Sequence, residues 1–306
     1  MYIKLLKNII LFVGSIFLIS TITFFIFEII PGEAYDLDFI KEEAVIINIR
    51  QRYGLDRPLF ERYFLMLRSV FTLDFGYSFT QGGLSVNSII KNHFPYSAKI
   101  GVIALFFSFS SGIFLACIIN NIKKKLRWIF YLFFIVVISS PTFVLAALLQ
   151  YFFSVRVNLF PILWTNSIHN YILPCLVISS YPTVFITRLM SRNMQSVEKL
   201  DYTNAARARG INSFTILVKF VIKNSLTPVL SYLGPLCTSL LVGSFIVETI
   251  FNIPGLARYF ITSVTNRDYP AVIGLTVFYA LILISVNFLS NSITVLNDYK
   301  GKRVEE

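Results

Sequence analysis

The chain has 306 residues, of which 56% are apolar and only 14% charged, with 31 Phe among them. A soluble chain of that length would form one large domain or two smaller ones, but it could not bury so much hydrocarbon or coat its outside with so little charge, so the excess apolar surface faces lipid. The net charge of +11 does not mark a nucleic-acid site, because the basic residues cluster between apolar runs instead of lining one face.

Six apolar segments emerge in chain order, at 9–30, 97–120, 128–153, 171–190, 229–250 and 271–296. Each approaches the ~20 residues that a helix needs to cross about 30 Å of hydrocarbon. The predicted fold class is therefore an all-α membrane protein with six transmembrane helices. The first run follows Lys4 and Lys7 and is longer than the apolar core of a signal peptide, which predicts an uncleaved first span. Short loops on one side carry Lys4, Lys7, Lys123, Lys124, Lys125, Arg127, Arg188, Arg192, Lys199, Arg207, Arg209, Lys219, Lys223, Lys300, Lys302 and Arg303. The other side offers Arg156, Arg258 and Arg267. That bias predicts a multi-pass membrane protein with both termini in the cytoplasm. The chain then divides into an N-terminal span (1–30), an extracytoplasmic loop (31–96), a five-helix core (97–296) and a cytoplasmic tail (297–306).

Within the outer loop, Asp38 to Tyr53 has helical character and Gly54 is a C-cap candidate. From Leu59 onward, Phe60, Phe64, Leu67 and Phe71 recur at helical spacing, with Tyr63 and Val70 beside them. These residues predict an amphipathic cap, lying on the outer membrane surface or packed on the spans, or else a contact with an external partner protein. Pro141, Pro174, Pro182 and Pro235 fall inside spans and predict local kinks or breaks. Cys117, Cys175 and Cys237 sit in apolar runs without metal-ligand spacing and read as packing thiols. His93 and His169 flank spans with no nucleophile or second ligand near, as interfacial residues do. Glu28, Glu248 and Arg188 lie at span ends, where snorkelling or a helix-end partner is the ordinary reading.

The inner loop between spans four and five, 198–228, reads Asp201-Tyr-Thr-Asn-Ala-Ala-Arg-Ala-Arg-Gly210. Asp201 is a candidate cap, the alanines favour helix, and Gly210 would end it in the left-handed conformation. Such a helix is either an ordinary surface helix or one whose small side chains let it enter a groove on a partner. Asp201-Tyr202, Ala205-Ala206-Arg207-Ala208-Arg209-Gly210 and Lys223-Asn224-Ser225-Leu226-Thr227-Pro228 resemble the EAA loop of binding-protein-dependent ABC permeases. The form is that of the dipeptide/oligopeptide/nickel branch. The resemblance extends through Ile30-Pro31-Gly32, the run Tyr53 to Leu59, Asp74-Phe75-Gly76-Tyr77-Ser78, the run Val247 to Leu256, and Arg267-Asp268-Tyr269-Pro270. The outer-loop motifs are similar to those of the B-type subunit. Two departures are Asn204, where other branches carry the glutamate that names the motif, and a Pro228 further from the glycine than in sugar importers.

The resemblance implies a MetI-like, type I ABC importer permease fold. Its expected partners are a second homologous permease subunit, two cytoplasmic ABC ATPases that bind the ATP, an extracytoplasmic peptide-binding protein, and the lipid bilayer. It implies that Ala205, Ala206 and Gly210 dock in an ATPase cleft, with Asp201, Arg207 and Arg209 at the rim. Glu248, Pro254, Gly255, Arg267 and Asp268 lie in family motifs as candidates for an outer gate or binding-protein contact. The sequence contains no G-x-x-x-x-G-K-[ST] loop, so the chain is expected to be no enzyme and to hold no cofactor or metal, with energy arriving through the inner loop. The alternatives are a permease for nickel or a metal chelate and a membrane scaffold that transports nothing.

Overall fold

A computed structural model describes residues 2–29, 56–81, 83–242 and 245–302. The expected helix at Asp38–Tyr53 with its Gly54 cap, and the Ile30-Pro31-Gly32 motif, lie outside the described residues. Helix α1 spans Tyr2–Ile29, α2 Leu59–Thr72, α3 Val86–Asn121 and α4 Lys124–Ser139. Helix α5 runs Thr142–Arg156 with a π-helical last turn, α6 His169–Val197, α7 Asp201–Ala208, and α8 Ser213–Ser231 with a π-helical centre at Ile216–Ile222. The chain continues through α9 Leu233–Val242, α10 Phe245–Ile250, α11 Leu256–Thr265 and α12 Tyr269–Lys302. Among the described residues, five helical stretches are long and apolar enough to cross a bilayer, and a sixth span results if α4 and α5 count as one.

The structure breaks the third expected span at the proline where a break is predicted, and places a long apolar helix ahead of the fifth. The third is broken between Ser140 and Pro141, where α4 and α5 meet at 104°. Ser140 precedes a proline and is extended (φ −85°, ψ 124°), because the proline ring crowds an α conformation at the residue before it. The expected fifth span, 229–250, begins in the end of α8, is interrupted at Tyr232 and continues through α9 and α10, with 243–244 outside the described residues. The long apolar helix lies earlier, at Ser213–Ser231, where Lys219 and Lys223 give the sequence a loop-like look. Pro174 and Pro182 interrupt nothing and stand inside α6.

The described residues form two compact units, one of Met1–Tyr96 with Pro254–Ser285 and the other of Ser97–Ile253 with Val286–Glu306. In the first, α2 lies along the C-terminal end of α1. Tyr63 is hydrogen-bonded to Thr21 (2.8 Å) and packs on the rings of Phe24 and Phe25, and Arg62 makes an ion pair with Glu28. The exposed side of α2 is apolar, with Phe60, Phe64 and Phe71 all more than half exposed. Asp268 is fully buried and ties this unit together. Its Oδ2 accepts from Ser78 Oγ, from Thr80 N (3.1 Å) and from Thr80 Oγ1 (2.9 Å), while Oδ1 caps the start of α12 by accepting from Ala271 N (3.3 Å). Two motifs almost two hundred residues apart in sequence therefore meet at one carboxyl group.

In the second unit α3 and α6 approach closely at Gly112, where a Cβ would lie 2.7 Å from Ile186 Cγ2. Beside it Ser111 and Thr183 hydroxyls are 3.1 Å apart, and toward one end Asn120 Oδ1 accepts from Ser191 Oγ (2.9 Å) and Gln195 Nε2 (3.1 Å). Small residues and interhelical hydrogen bonds are what hold helices together where lipid is as apolar as leucine.

Two substitutions test these contacts by thermal unfolding of the purified chain in detergent. Asp268→Ala strands the Ser78 and Thr80 donors, each at about 1–3 kcal/mol, so a large fall in Tm is expected, with Asp268→Asn intermediate because it keeps one oxygen. Gly112→Val should lower stability by about 1–3 kcal/mol through overpacking. An unchanged Tm for either would show that the contact is not needed.

Candidate functional site

The inner loop is built from the end of α6 upward. After Val197 the chain turns through Leu200, which is extended (φ −72°, ψ 148°) and stands as N-cap to α7. The cap is thus Leu200 and not Asp201. Asp201 occupies the first turn without a side-chain cap bond, where a negative charge complements the positive end of the helix. Thr203 Oγ1 donates to Val197 O (3.0 Å) from a buried position and ties α7 to α6. On the other side Asn224 Nδ2 donates to Tyr202 OH (3.0 Å), which ties α7 to α8.

Helix α7 ends on Gly210, which has φ +74°. Gly210 N donates to Arg207 O (3.0 Å) and Ile211 N to Ala206 O (3.3 Å). These two bonds are the Schellman stop, which requires a left-handed residue at its centre. Asn212 Oδ1 then accepts from Phe214 N (3.0 Å) and opens α8. Each helix end in this loop is closed within a few residues of the next.

The burial pattern separates two faces of α7. Thr203 and Ala206, three residues apart, turn inward, and Ala206 is 4% exposed. Ala206 therefore packs within its own chain, which corrects its expected place on the face offered to a partner. Asp201, Tyr202, Asn204, Ala205, Arg207, Ala208, Arg209 and Gly210 are exposed. The outward face thus carries two small residues, Ala205 and Ala208, between an acidic N-terminal end and two arginines. Thr203 is not among the residues that the sequence singles out, and Tyr202 enters there only as part of the loop motif. The only signal for Thr203 is its three-residue spacing to Ala206.

The five residues of the outer motifs do not form one exposed cluster. Glu248 and Asp268 are both 0% exposed, and Gly255 is buried, so none of the three offers a surface to an external protein. Asp268 is committed to Ser78, Thr80 and Ala271. Pro254 is half-buried, and its carbonyl accepts from His93 Nδ1 (2.9 Å), whose ring stacks 4.1 Å from that of Tyr259. Arg267 is half-buried with φ 53° and closes α11 in the same left-handed manner as Gly210 closes α7, Asp268 N donating to Ser263 O (2.8 Å).

The comparisons with known proteins agree with this architecture. The chain is 38% identical over 279 residues to the dipeptide transport system permease protein DppB of Bacillus subtilis, covering 90% of each chain. It is 31% identical to DppB of Lactococcus lactis, over 96% of this chain and 97% of that one. It is 31% identical to the oligopeptide transport system permease protein OppB of Escherichia coli, over 87% of this chain and 88% of that one. Among solved structures, an inward-facing form of the MetNI methionine ABC transporter superposes with a TM-score of 0.55 at 15% identity, over 68% of this chain and 95% of that one. An amino acid ABC transporter with histidines gives 0.53 at 17% identity, over 68% and 94%. Those likenesses are of fold. With residues 108–300 matching its family model, and the EAA-like loop held on α7 between α6 and α8, the chain belongs to the family of binding-protein-dependent transport system inner membrane components.

Proposed function

We propose that this chain is a permease subunit of an ATP-driven importer of short peptides and forms half of its translocation pore with a second, homologous subunit. Two cytoplasmic ABC ATPases supply the energy and an extracytoplasmic binding protein supplies the peptide. The peptide assignment is supported by the dipeptide and oligopeptide permeases to which the chain is similar along most of its length. The clustering of Lys and Arg in the loops that contain α7 and the α3–α4 turn supports a cytoplasmic position for those loops and for both termini.

The observation that carries the reading is α7 itself. It is a short capped helix, pinned to both flanking spans by Thr203 and Tyr202, that presents Ala205 and Ala208 outward. Small exposed side chains on a rigid element can enter a cleft without steric conflict, and Arg207 and Arg209 at the rim suit an acidic edge. Binding of ATP would close the paired ATPases and carry the docked helix with them. The helix transmits that movement only to the extent that the two states of the permease differ in affinity for it. Residues Ala205, Arg207, Arg209 and Asp201 contact the ATPase in this scheme, Gly210 makes the turn, and Ala206 holds the helix on its own chain.

The test is uptake of labelled short peptides by cells lacking this chain, complemented with wild type, Ala205→Asp or Gly210→Ala. Ala205→Asp should leave the amount of chain in the membrane unchanged and reduce uptake tenfold or more, since a charge buried unpaired in a cleft costs several kcal/mol, of order ~3. Gly210→Ala should reduce uptake mildly, since a left-handed alanine costs about 1–2 kcal/mol. Full uptake by Ala205→Asp would remove α7 from the ATPase contact. Failure of wild type to restore uptake would remove the peptide assignment.

A further inference from the structure

Span α6 carries Arg188 and Arg192 one helical turn apart, both exposed. Neither guanidinium meets a carboxylate or another hydrogen-bond acceptor among the described residues. They sit between two recesses. One, of about 320 Å³, lies among α3, α4 and α6 and is walled by Ile119, Tyr131 and Phe134 over a polar floor that includes Thr187, Ser191 and Gln195. The other, of about 340 Å³, lies between α4 and α6 and is lined by Ile138, Tyr181, Phe185 and Leu189. Both arginines line both recesses.

The depth of this groove is set by the helices around it. Arg192 and Tyr131 lie roughly 7–11 Å along their helices from the end of α6 and the start of α4, and a basic end followed by an apolar helix is the pattern of a headgroup-level boundary. The exposed Lys123, Lys124 and Lys125 mark the same end of α4. Beyond them α4 exposes Leu126, Trp128, Ile129, Leu132, Phe133 and Ile135, an apolar surface with a Trp near its basic end, as suits a helix in contact with lipid. Two guanidinia without a counter-charge among the described residues, toward the basic end of an exposed apolar helix, call for an anion that brings its own hydrocarbon.

We propose that the groove between α4 and α6 is a binding site for an anionic phospholipid. Arg188 and Arg192 hold the headgroup phosphate, and the recess lined by Ile138, Phe185 and Leu189 takes the start of an acyl chain. Basic pockets between spans are a general means of headgroup recognition. The fit here is of charge and of apolar volume together, which a free phosphate ion would use only in part. The inference is independent of what the importer carries.

The test is native mass spectrometry of the purified full-length chain, incubated in detergent with phosphatidylglycerol or with phosphatidylcholine of the same acyl chains. Wild type should retain phosphatidylglycerol preferentially. Arg188→Gln with Arg192→Gln should reduce that retention about tenfold or more at unchanged Tm, whereas the double Arg→Lys variant should keep most of the preference. Replacing Lys123, Lys124 and Lys125 by Gln should change it much less. Equal retention of the two lipids by wild type, an unchanged preference in the Gln variant, or loss only in the lysine variant would overturn the proposal. So would a Gln variant that retains lipid normally yet loses uptake of peptides with a free C-terminal carboxylate, which would place the arginines in the transport path.

Discussion

A helix that must stop and hand over to the next within a few residues has to satisfy its last carbonyls locally. That constraint explains more of this chain than any single contact. The same left-handed stop recurs at Leu73, Gly210, Asn252 and Arg267, which have φ of 55°, 74°, 51° and 53°. In each the next residue donates back five positions, from Asp74 to Ser69, Ile211 to Ala206, Ile253 to Glu248 and Asp268 to Ser263. These positions fall within or beside motifs that carry the family resemblance. Their recurrence has a physical reading: the motifs are largely instructions for stopping one helix and aiming the next. Asp268 shows the economy of the arrangement, since its amide closes α11 while its side chain caps α12 and gathers the 78–80 turn.

Proline acts in this chain according to position. Pro141 stands at the N-cap of α5, where its missing N–H is no loss, and the extended residue before it lets the chain turn through 104°. Pro95, Pro174, Pro182 and Pro228 stand inside helices that continue past them. Around Pro182 the hydroxyls of Ser179, Ser180 and Thr187 donate to the carbonyls of Leu176, Val177 and Thr183, next to and not at Ile178 O, the carbonyl that loses its donor to the proline. The sequence gives the residue type, but only the neighbouring backbone decides between a break and a tolerated gap.

Much of the fold was legible because apolar run length is a strong signal in a membrane chain. The runs around α1, α3, α6 and α12 each contain a helix the structure places there. The helix ahead of the fifth expected span was missed for a specific reason. Lys219 and Lys223 read as loop cations, yet in α8 they sit on a helix that begins at Ser213, and within the more apolar 229–250 the described residues show an interruption at Tyr232. In the inner loop the helix and its glycine stop could be read from local chemistry. Which alanine faced outward could not, because Ala205 and Ala206 are alike in propensity and only the packing of α7 on its neighbours tells them apart. The burial of Glu248 and Asp268 was equally hidden, since span-end carboxylates usually reach toward water.

The attachment of α7 bears on how a push at the loop could be used. Thr203 fixes it to the last turn of α6, Tyr202 to Asn224 of α8, and the Gly210 stop leaves only Ile211 and Asn212 before α8 begins. A displacement of α7 is therefore delivered to α6 and α8 together and is not absorbed in a slack connection. Helix α6 is also the most enclosed of the spans, with 56% of its apolar window buried, and it is joined to α3 at Gly112 and through Asn120. Close-packed contacts of that kind shift between discrete arrangements instead of bending gradually. A loop so tightly tied to the most enclosed helix is thus mechanically suited to switch the second unit as a body, and the same tightness explains why Ala206, although it lies in the loop, has to be counted among the residues of the core.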